Sequence, residues 1–442
     1  MRTIKAPQSK SEAHRFLICE CLSRLSLYAE NAEKSFDEAQ AINLKEVIAP
    51  NSQVSIDSDD VKATSECLNK IEFAALAKRQ SQSAGSACEE LLLDCKESGS
   101  SLRFLLPITA ALGLKVKFIM GGRLPDRPIE SLINQLCAHG CKIEKNKNYI
   151  KCEGRLAPGD FYLPGDESSQ FISGLMFALP LLDEESRIIV GKPIESSGYI
   201  NMTMEMLHNF SIIVESIDKG DNYIYKIASK QKFKAPNSCN IGGDWSNAAF
   251  WFAAGALGNE PVSISGLNLN SVQADRYIRD ILCDMGVIIK ISDFNGMPAC
   301  EIYPIRKNRL KAVKVDAANI PDLVPVLSLL CCFADGESEI YNVQRLRGKE
   351  SDRILAIEDL INSIGGKVEV KGNSIFINGI DFLHGANVRC YADHRMVMTA
   401  AIASIRCKSK VIISEAEAVN KSYANFFGDL AKLGLDENIE YR

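Results

Sequence analysis

The chain of 442 residues is 46% hydrophobic and 24% charged, with a formal net charge of −5. This balance excludes disordered and disulfide-scaffold classes and gives no global attraction to nucleic acid or membrane, so any anion-binding surface must be a local cluster of cations focused by a cleft. The length exceeds one ordinary core and implies two sizeable domains. The fifteen cysteines are scattered, with no Cys-x-x-Cys, and several such as Cys19, Cys283 and Cys407 fall in apolar helical runs. That usage points to a reducing, cytoplasmic setting. The N-terminus has no apolar core of signal-peptide length, and no later run is long enough to span a membrane.

In chain order, the first helix read from periodicity covers 13–25, preceded by Ser9-Lys10-Ser11 and carrying Arg15 one turn beyond Ser11. A weaker helical pattern covers 61–71. Ser98-Gly99-Ser100-Ser101 opens an apolar helix over 102–112 with Arg103 in its first turn, and the glycine allows a ligand close to the backbone. Arg127 stands between Pro125 and Pro128, which limit its backbone freedom. A helix from Ser131 ends at Gly140, after which Cys141 to Glu144 alternates as a strand. Cys137 and Cys141 flank His139 there, but the paired ligand spacing of a zinc site is missing and no metal is expected. Glu167-Ser168-Ser169-Gln170 precedes a second apolar helix over 171–182. The polar stretch 229–240, with Pro236, is the best candidate for an interdomain crossing. A third apolar helix spans 322–333. Arg347-Gly-Lys-Glu-Ser-Asp-Arg353 leads into a helix marked by Ile354, Ile357, Leu360, Ile361 and Ile364 and stopped by Gly365-Gly366. Asp393-His394-Arg395 opens the last such helix, over 396–405.

A helical pattern, a short connector and a β-like alternation recur about every 70 to 80 residues, far longer than a solenoid repeat. The repeats end at Gly140, Phe210, Gly286, Gly365 and Gly434, and the pattern at 61–71 is a weaker first member. Six such units in two domains imply three per domain, an α/β arrangement with internal pseudo-symmetry. The apolar helices have no polar face and are expected to line the inside of each domain.

Several helices begin with Lys, Arg, Ser or Gln. Taken singly, each is explained as a capped helix, since Ser and Asp are the usual caps. Ser351 is the expected cap in the Arg347 stretch. Taken together, the starts place cations where orphan backbone N–H groups and the helix dipole favour anions, and they indicate a substrate with more than one anionic group. Neither Gly-x-x-x-x-Gly-Lys-Ser/Thr nor Gly-x-Gly-x-x-Gly after a strand is present, so the usual nucleotide sites do not account for the pattern. Among only five histidines, His394 lies at a cationic helix start, placed to donate a hydrogen bond to a reacting group.

In order and spacing, Lys10-Ser11 with Arg15, Ser98-Gly99-Ser100 with Arg103, Arg127-Pro128-Ile129, Ser168-Ser169-Gln170, Tyr199, Ile320-Pro321-Asp322, Lys349-Glu350 with Arg353, and Asp393-His394-Arg395 resemble the 5-enolpyruvylshikimate-3-phosphate synthase family. The resemblance runs from about residue 5 to Lys421. It implies an α/β fold of two similar domains, each of three βαβαββ units in an inside-out α/β barrel, with boundaries at 9–239 and at 1–8 plus 240–442. It implies transfer of enolpyruvyl from phosphoenolpyruvate to the 5-hydroxyl of shikimate 3-phosphate with release of phosphate, on the route to chorismate and the aromatic amino acids. No cofactor is implied, no nucleic-acid or membrane partner, and a monomer.

By position, the resemblance assigns Lys10, Ser11, Arg15, Ser168, Ser169, Gln170, Ser196, Tyr199, Asp322, Asn342 and Lys349 to shikimate 3-phosphate. It assigns Lys10, Gly99, Arg127, Gln170, Arg353, Arg395 and Lys421 to phosphoenolpyruvate. Asp322, Glu350, Lys10 and His394 are the implied catalytic set: Asp322 takes the hydroxyl proton, and Glu350 or Lys10 protonates the methylene carbon. As cations held for a ligand, Arg127 and Arg353 are expected to matter more for binding than for the fold. Two departures stand out. Glu97 replaces a usual Asn, and Ser196-Ser197-Gly198-Tyr199 lacks a usual proline. Retention of Gly99 implies sensitivity to glyphosate. The sister transferase acting on UDP-N-acetylglucosamine is the nearest alternative, but its loop cysteine is absent from Met120 to Asp126 and Ser11 follows Lys10. A binding protein without catalysis is the other; it would not need Lys10, Asp322 and Glu350 together.

Overall fold

In the computed structural model, which describes residues 1–34, 54–81, 89–305 and 309–441, one folding module is used repeatedly. A strand and a helix lead to a second, parallel strand; a second helix then leads to an antiparallel hairpin whose last strand pairs with the second. The parallel step needs a crossover, which the first helix supplies, whereas the hairpin closes through a short turn. The chain divides into two compact units: Ser11–Ile56 with Asp60–Ile241, called the N-terminal unit, and Met1–Lys10 and Asp57–Asp59 with Gly242–Arg442, called the C-terminal unit.

In the N-terminal unit, Leu91–Asp94, Val116–Ile119, Tyr149–Gly154 and Cys141–Lys145 form one sheet in that spatial order. Asp160–Pro164, Ser186–Gly191, Asn222–Ile227 and Val214–Lys219 form the second with the same topology. The helices Lys10–Lys34 and Asp59–Ser81 stand where a third module has its pair. The weak repeat at 61–71 lies within the second of these, which continues as helix to Ser81, so no strand follows Ile71 directly. Val116, Phe118, Ile150 and Cys152 turn one sheet face inward, as period-two alternation requires. They pack with the helices Gly99–Ala111 and Ser169–Ala178 in one core.

The C-terminal unit repeats the order twice: Arg2–Lys5, Val262–Ser265, Met297–Tyr303, Ile288–Phe294, and Lys314–Asp316, Glu337–Tyr341, Ser374–Asn378, Lys367–Lys371. A three-stranded sheet in this unit is all parallel, Asn387–Val388, Val411–Ile413 and Ile439–Tyr441, so the repeat ending at Gly434 closes on one short strand rather than a hairpin. Trp245–Leu257 joins Val324–Cys331 and His394–Ala403 as a helix buried on every side. A helix with no polar face has no amphipathic signal to read, yet such helices form this unit's core.

The apolar helices start two or three residues away from the expected positions, at Gly99, Ser169 and Val324. The cysteine reading also needs correction: Cys283 is exposed on its helix, and Cys407 lies beyond the helix, paired to Leu383 in an isolated bridge. No helix among the described residues is long and apolar enough to cross a membrane.

Candidate active site

In the C-terminal unit, Asp322 precedes the Val324–Cys331 helix and gathers three cations. Arg353 Nη1 lies 2.7 Å and Lys349 Nζ 3.5 Å from its Oδ1, and Arg395 Nη2 lies 3.1 Å from its Oδ2. Arg353 also donates to Glu350 Oε2 at 2.8 Å and, through Nε, to Asp393 Oδ2 at 2.8 Å. One guanidinium thus ties three carboxylates together, using the fork geometry that only arginine has. Asp393 is fully buried; it caps the His394–Ala403 helix by accepting from Arg395 N and takes a further bond from the Ser351 hydroxyl at 2.9 Å.

Local sequence explains the placement. Asp352, not Ser351, caps the helix Arg353–Ser363, accepting from Leu355 N, and Arg347 pairs with Asp352 at 3.3 Å. Ser351 is thereby released to bond Asp393, and Arg353 becomes the first helical residue with its side chain turned inward. Part of the helix-end capacity for anions is taken by the chain's own carboxylates.

Electrostatics divides these groups. Burial alone would raise the Asp322 carboxyl, but Arg395, Lys349 and Arg353 outweigh it and hold it well below the usual carboxylate range. Burial pulls Lys349 down to about 8, against the opposing pull of Asp322. Asp275, fully buried and bonded to the Ser246 hydroxyl, is pushed up to about 7 by burial and by nearby Asp322. The Ser246 carbonyl in turn accepts from Arg395 Nη1 at 3.4 Å. His394 is driven down to about 3 by burial and by the charges of Lys10 and Arg395. Its ring is neutral at physiological pH, and neither nitrogen has a hydrogen-bond partner among the described residues. Lys10 is anchored through its backbone N–H to Asp244, the cap of Trp245–Leu257. Lys421 donates to the Ala392 carbonyl at 2.6 Å, next to Asp393. Asn342 donates to Asp316 and holds a left-handed φ of 59°.

The N-terminal unit carries a second cluster. Arg103 Nη1 donates to Gln170 Oε1 at 3.2 Å and its Nη2 to the Pro128 carbonyl at 2.7 Å, while Gln170 Nε2 donates to Ser100 Oγ at 3.0 Å. Gly99 lies against this group: a Cβ there would stand 2.5 Å from Arg103 Nη1 and 2.9 Å from Arg127 Nη1. Arg15 forms a neighbouring set, donating to Thr203 Oγ1, the Ser11 carbonyl and the Tyr199 carbonyl. Burial lowers Arg15 to about 10, which leaves it charged at neutral pH. Ser98 and Ser168 are N-caps, accepting from Ser101 N and Gln170 N. Ser169 is buried in the first turn that follows, and Ser196 takes a left-handed φ of 57° ahead of Ser197–Asn209.

The structure therefore brings together Asp322, Lys349, Glu350, Arg353 and Arg395 in one unit, and Gly99, Arg127 and Gln170 in the other. Sequence reasoning gave no part in binding or proton transfer to Arg103, Asp393 or Thr203. Arg103 was visible as the cation one turn into a Ser-Gly-Ser-Ser start, whereas nothing in the sequence marks Thr203. His139 bonds the Gln135 carbonyl and stacks on Phe161 at 3.8 Å. Among the described residues, no group of three or more His, Cys, Asp or Glu is arranged to hold a metal.

Repeated βαβαββ modules around apolar helices, with arginines and lysines drawn onto buried carboxylates, define an α/β protein of the enolpyruvyl transferase fold. Solved EPSP synthase from Acinetobacter baumannii matches with a TM-score of 0.69 at 19% identity, covering 98% of this chain and 95% of that one. The enolpyruvyl transferase NikO from Streptomyces tendae matches at 0.66 and 13%, with the same coverage of 98% and 95%. In sequence, a family profile described as EPSP synthase (3-phosphoshikimate 1-carboxyvinyltransferase) matches residues 52–430. The 3-phosphoshikimate 1-carboxyvinyltransferase of Clostridium acetobutylicum is 37% identical over 440 residues, spanning 98% of this chain and 95% of its own. That of Brachyspira hyodysenteriae is 35% identical over 437 residues, spanning 98% and 96%. The chain belongs to the EPSP synthase family.

Proposed function

We propose that this chain transfers the enolpyruvyl group of phosphoenolpyruvate to the 5-hydroxyl of shikimate 3-phosphate and releases phosphate, in the route to chorismate. The observation that carries the reading is Asp322, a carboxylate held ionised among Arg353, Arg395 and Lys349 and joined through Arg353 to a second carboxylate, Glu350. Anion binding alone needs the cations; it does not need two carboxylates beside them. Each substrate carries a phosphate and a carboxylate, which matches cations held in reserve on internal carboxylates.

The chemistry follows from that reserve. The hydroxyl oxygen adds to C2 while C3 gains a proton; the tetrahedral product then loses phosphate from C2 and a proton from C3. Asp322 is the proposed base for the hydroxyl, and Glu350 or Lys10 the acid for C3. With three cations on it, Asp322 is a weak base. Substrate anions that draw Arg353, Arg395 and Lys349 away raise its basicity when the hydroxyl arrives. His394, neutral and buried, is proposed to offer one ring N–H to the reacting group.

We assign shikimate 3-phosphate to Lys10, Ser11, Arg15, Ser168, Ser169, Gln170, Ser196, Tyr199, Asp322, Asn342 and Lys349, and phosphoenolpyruvate to Lys10, Gly99, Arg127, Gln170, Arg353, Arg395 and Lys421. Domains at 9–239 and at 1–8 with 240–442, a monomeric state and a cytoplasmic location complete the reading; sedimentation showing a stable dimer would overturn the monomer. Glyphosate is the proposed inhibitor, since Gly99 sets no side chain against the guanidinium groups of Arg103 and Arg127, where a Cβ would stand 2.5 and 2.9 Å from their Nη1 atoms; undiminished turnover at saturating glyphosate would refute this. The decisive assay is phosphate release on mixing the two substrates. Release only with UDP-N-acetylglucosamine as acceptor, or none, sinks the assignment.

A further inference from the structure

A buried polar thread joins the first two helices of the N-terminal unit to the start of the third. His14 Nδ1 lies 2.7 Å from Thr64 Oγ1, Thr64 Oγ1 lies 2.6 Å from Ser101 Oγ, and the Ser101 hydroxyl donates to Ser98 Oγ at 2.7 Å. Ser98 Oγ also accepts from Ser101 N at 3.2 Å, which makes it the cap of Gly99–Ala111. All four residues are at most 1% exposed. They come from three places in the chain: His14 from Lys10–Lys34, Thr64 from Asp59–Ser81, and the two serines from the start of Gly99–Ala111.

The thread has a direction. A hydroxyl has one hydrogen to give, and that of Ser101 goes to Ser98, so Ser101 Oγ accepts from Thr64. Thr64, its hydrogen spent, accepts from His14. The imidazole therefore carries its proton on Nδ1, and the orientation of every hydroxyl down to the cap follows from that choice. The opposite tautomer would make Thr64 donate to Nδ1, turn the Ser101 hydrogen toward Thr64, and take from Ser98 one of the two bonds it accepts. Directly after Ser98 come Gly99 and Ser100, with Arg103 one turn on, the group that meets Gln170 and Arg127.

We propose that His14 is a positioning residue for the phosphoenolpyruvate subsite, fixing through Thr64, Ser101 and Ser98 the first turn of Gly99–Ala111 and with it Ser100 and Arg103. The proposal rests on the reading that Gly99, Arg127 and Gln170 meet phosphoenolpyruvate. The test uses pairs that separate the hydrogen bond from the volume it occupies. Thr64→Val keeps the shape and removes the hydroxyl; Thr64→Ser keeps the hydroxyl. His14→Asn keeps an N–H at the position of Nδ1, and His14→Ala does not.

Thr64→Val and His14→Ala raise KM for phosphoenolpyruvate by about tenfold, as sub-ångström misplacement of a binding group does, and leave KM for shikimate 3-phosphate within about twofold. Thr64→Ser and His14→Asn stay near wild type. Equal change in both KM values, no change in either, or a Thr64→Ser loss as large as that of Thr64→Val overturns the proposal. Hydrogen exchange on the full, ligand-free chain gives a second readout: Thr64→Val speeds exchange of the 99–103 amides about tenfold relative to the rest of that helix. If the wild-type chain shows no transfer activity, the functional reading falls, and exchange still decides the positioning claim, since unchanged rates in Thr64→Val refute it. Should His14→Ala fail to fold, the Thr64 pair decides.

Discussion

Arg353 holds the cluster around Asp322 together from inside the protein, and burial sets what its removal does. Its side chain is 1% exposed and contacts Asp322, Glu350 and Asp393. The sequence-based expectation that Arg127 and Arg353 both matter more for binding than for the fold is therefore narrowed to Arg127. Arg353→Ala removes the buried guanidinium shared by Asp322, Glu350 and the fully buried Asp393 and costs about 3–5 kcal/mol of stability by urea unfolding. Arg127→Ala, at a partly exposed turn, stays within about 1 kcal/mol while weakening phosphoenolpyruvate binding. Equal losses in the two variants would show that the cluster is not a buried network. Asp275 offers a test by pH. Its folded carboxyl titrates at about 7, above its unfolded value, so the folded state holds an extra proton between roughly pH 4 and 7. That stabilising contribution is fully present below the unfolded pKa and is lost as pH rises through 7. Asp275→Asn, neutral and of the same shape, is accordingly more stable than wild type at pH 8, by about 1–3 kcal/mol after allowance for relaxation, and loses the advantage at pH 4. A gain that is the same at both pH values would mean that Asp275 is ionised throughout. The burial that sets both behaviours was not legible in the sequence. Lys349, Glu350 and Arg353 stood out as a charged string, but their common partner Asp322 is distant in the chain, and only the resemblance pointed to it.

The helix starts were the most legible elements, because caps are local. Ser98, Ser168 and Asp393 each cap the helix they were read to open, and Asp352 displaces Ser351 by one position because adjacent Ser and Asp are both competent caps. Contact between helices was not legible, since it depends on small residues whose partners lie elsewhere. Gly174 shows this. It lies one turn past Gln170 in Ser169–Ala178, and a Cβ there would stand 2.3 Å from the Arg103 carbonyl and 3.0 Å from Pro107 Cγ. The nearer atom is backbone, so the two helices must separate to admit a methyl group. Gly174→Ala is expected to cost about 1–3 kcal/mol. It also stretches the Gln170 bonds to Arg103 and Ser100, which raises KM for phosphoenolpyruvate. Destabilisation with an unchanged KM would show that this contact supports the fold and not the site.

Over the whole molecule, length foretold two cores, and each compact unit has its own cluster of buried apolar side chains, one built around Trp245–Leu257 and the other around Gly99–Ala111 and Ser169–Ala178. The net charge of −5 also required the cations to be local, and they are found on particular carboxylates and helix starts. Separate cores imply separate cooperative blocks, so the units are expected to open at different denaturant concentrations. Ligand binding then acts on the block that holds the ligand. Most of the residues proposed for shikimate 3-phosphate, among them Arg15, Ser168, Ser169, Ser196 and Tyr199, belong to the N-terminal unit. At a concentration about 100 times its Kd, shikimate 3-phosphate alone stabilises the folded state by about 2.7 kcal/mol. Hydrogen exchange followed helix by helix locates that gain: protection rises in Ser169–Ala178 and Ser197–Asn209 more than in Trp245–Leu257. The effect persists at 0.5 M salt if the cations are sheltered, because buried pairs are screened far less than exposed ones. Equal protection of both units, or loss of the effect in salt, would place the anion on a solvated surface and overturn the assignment of Arg15 and its neighbours.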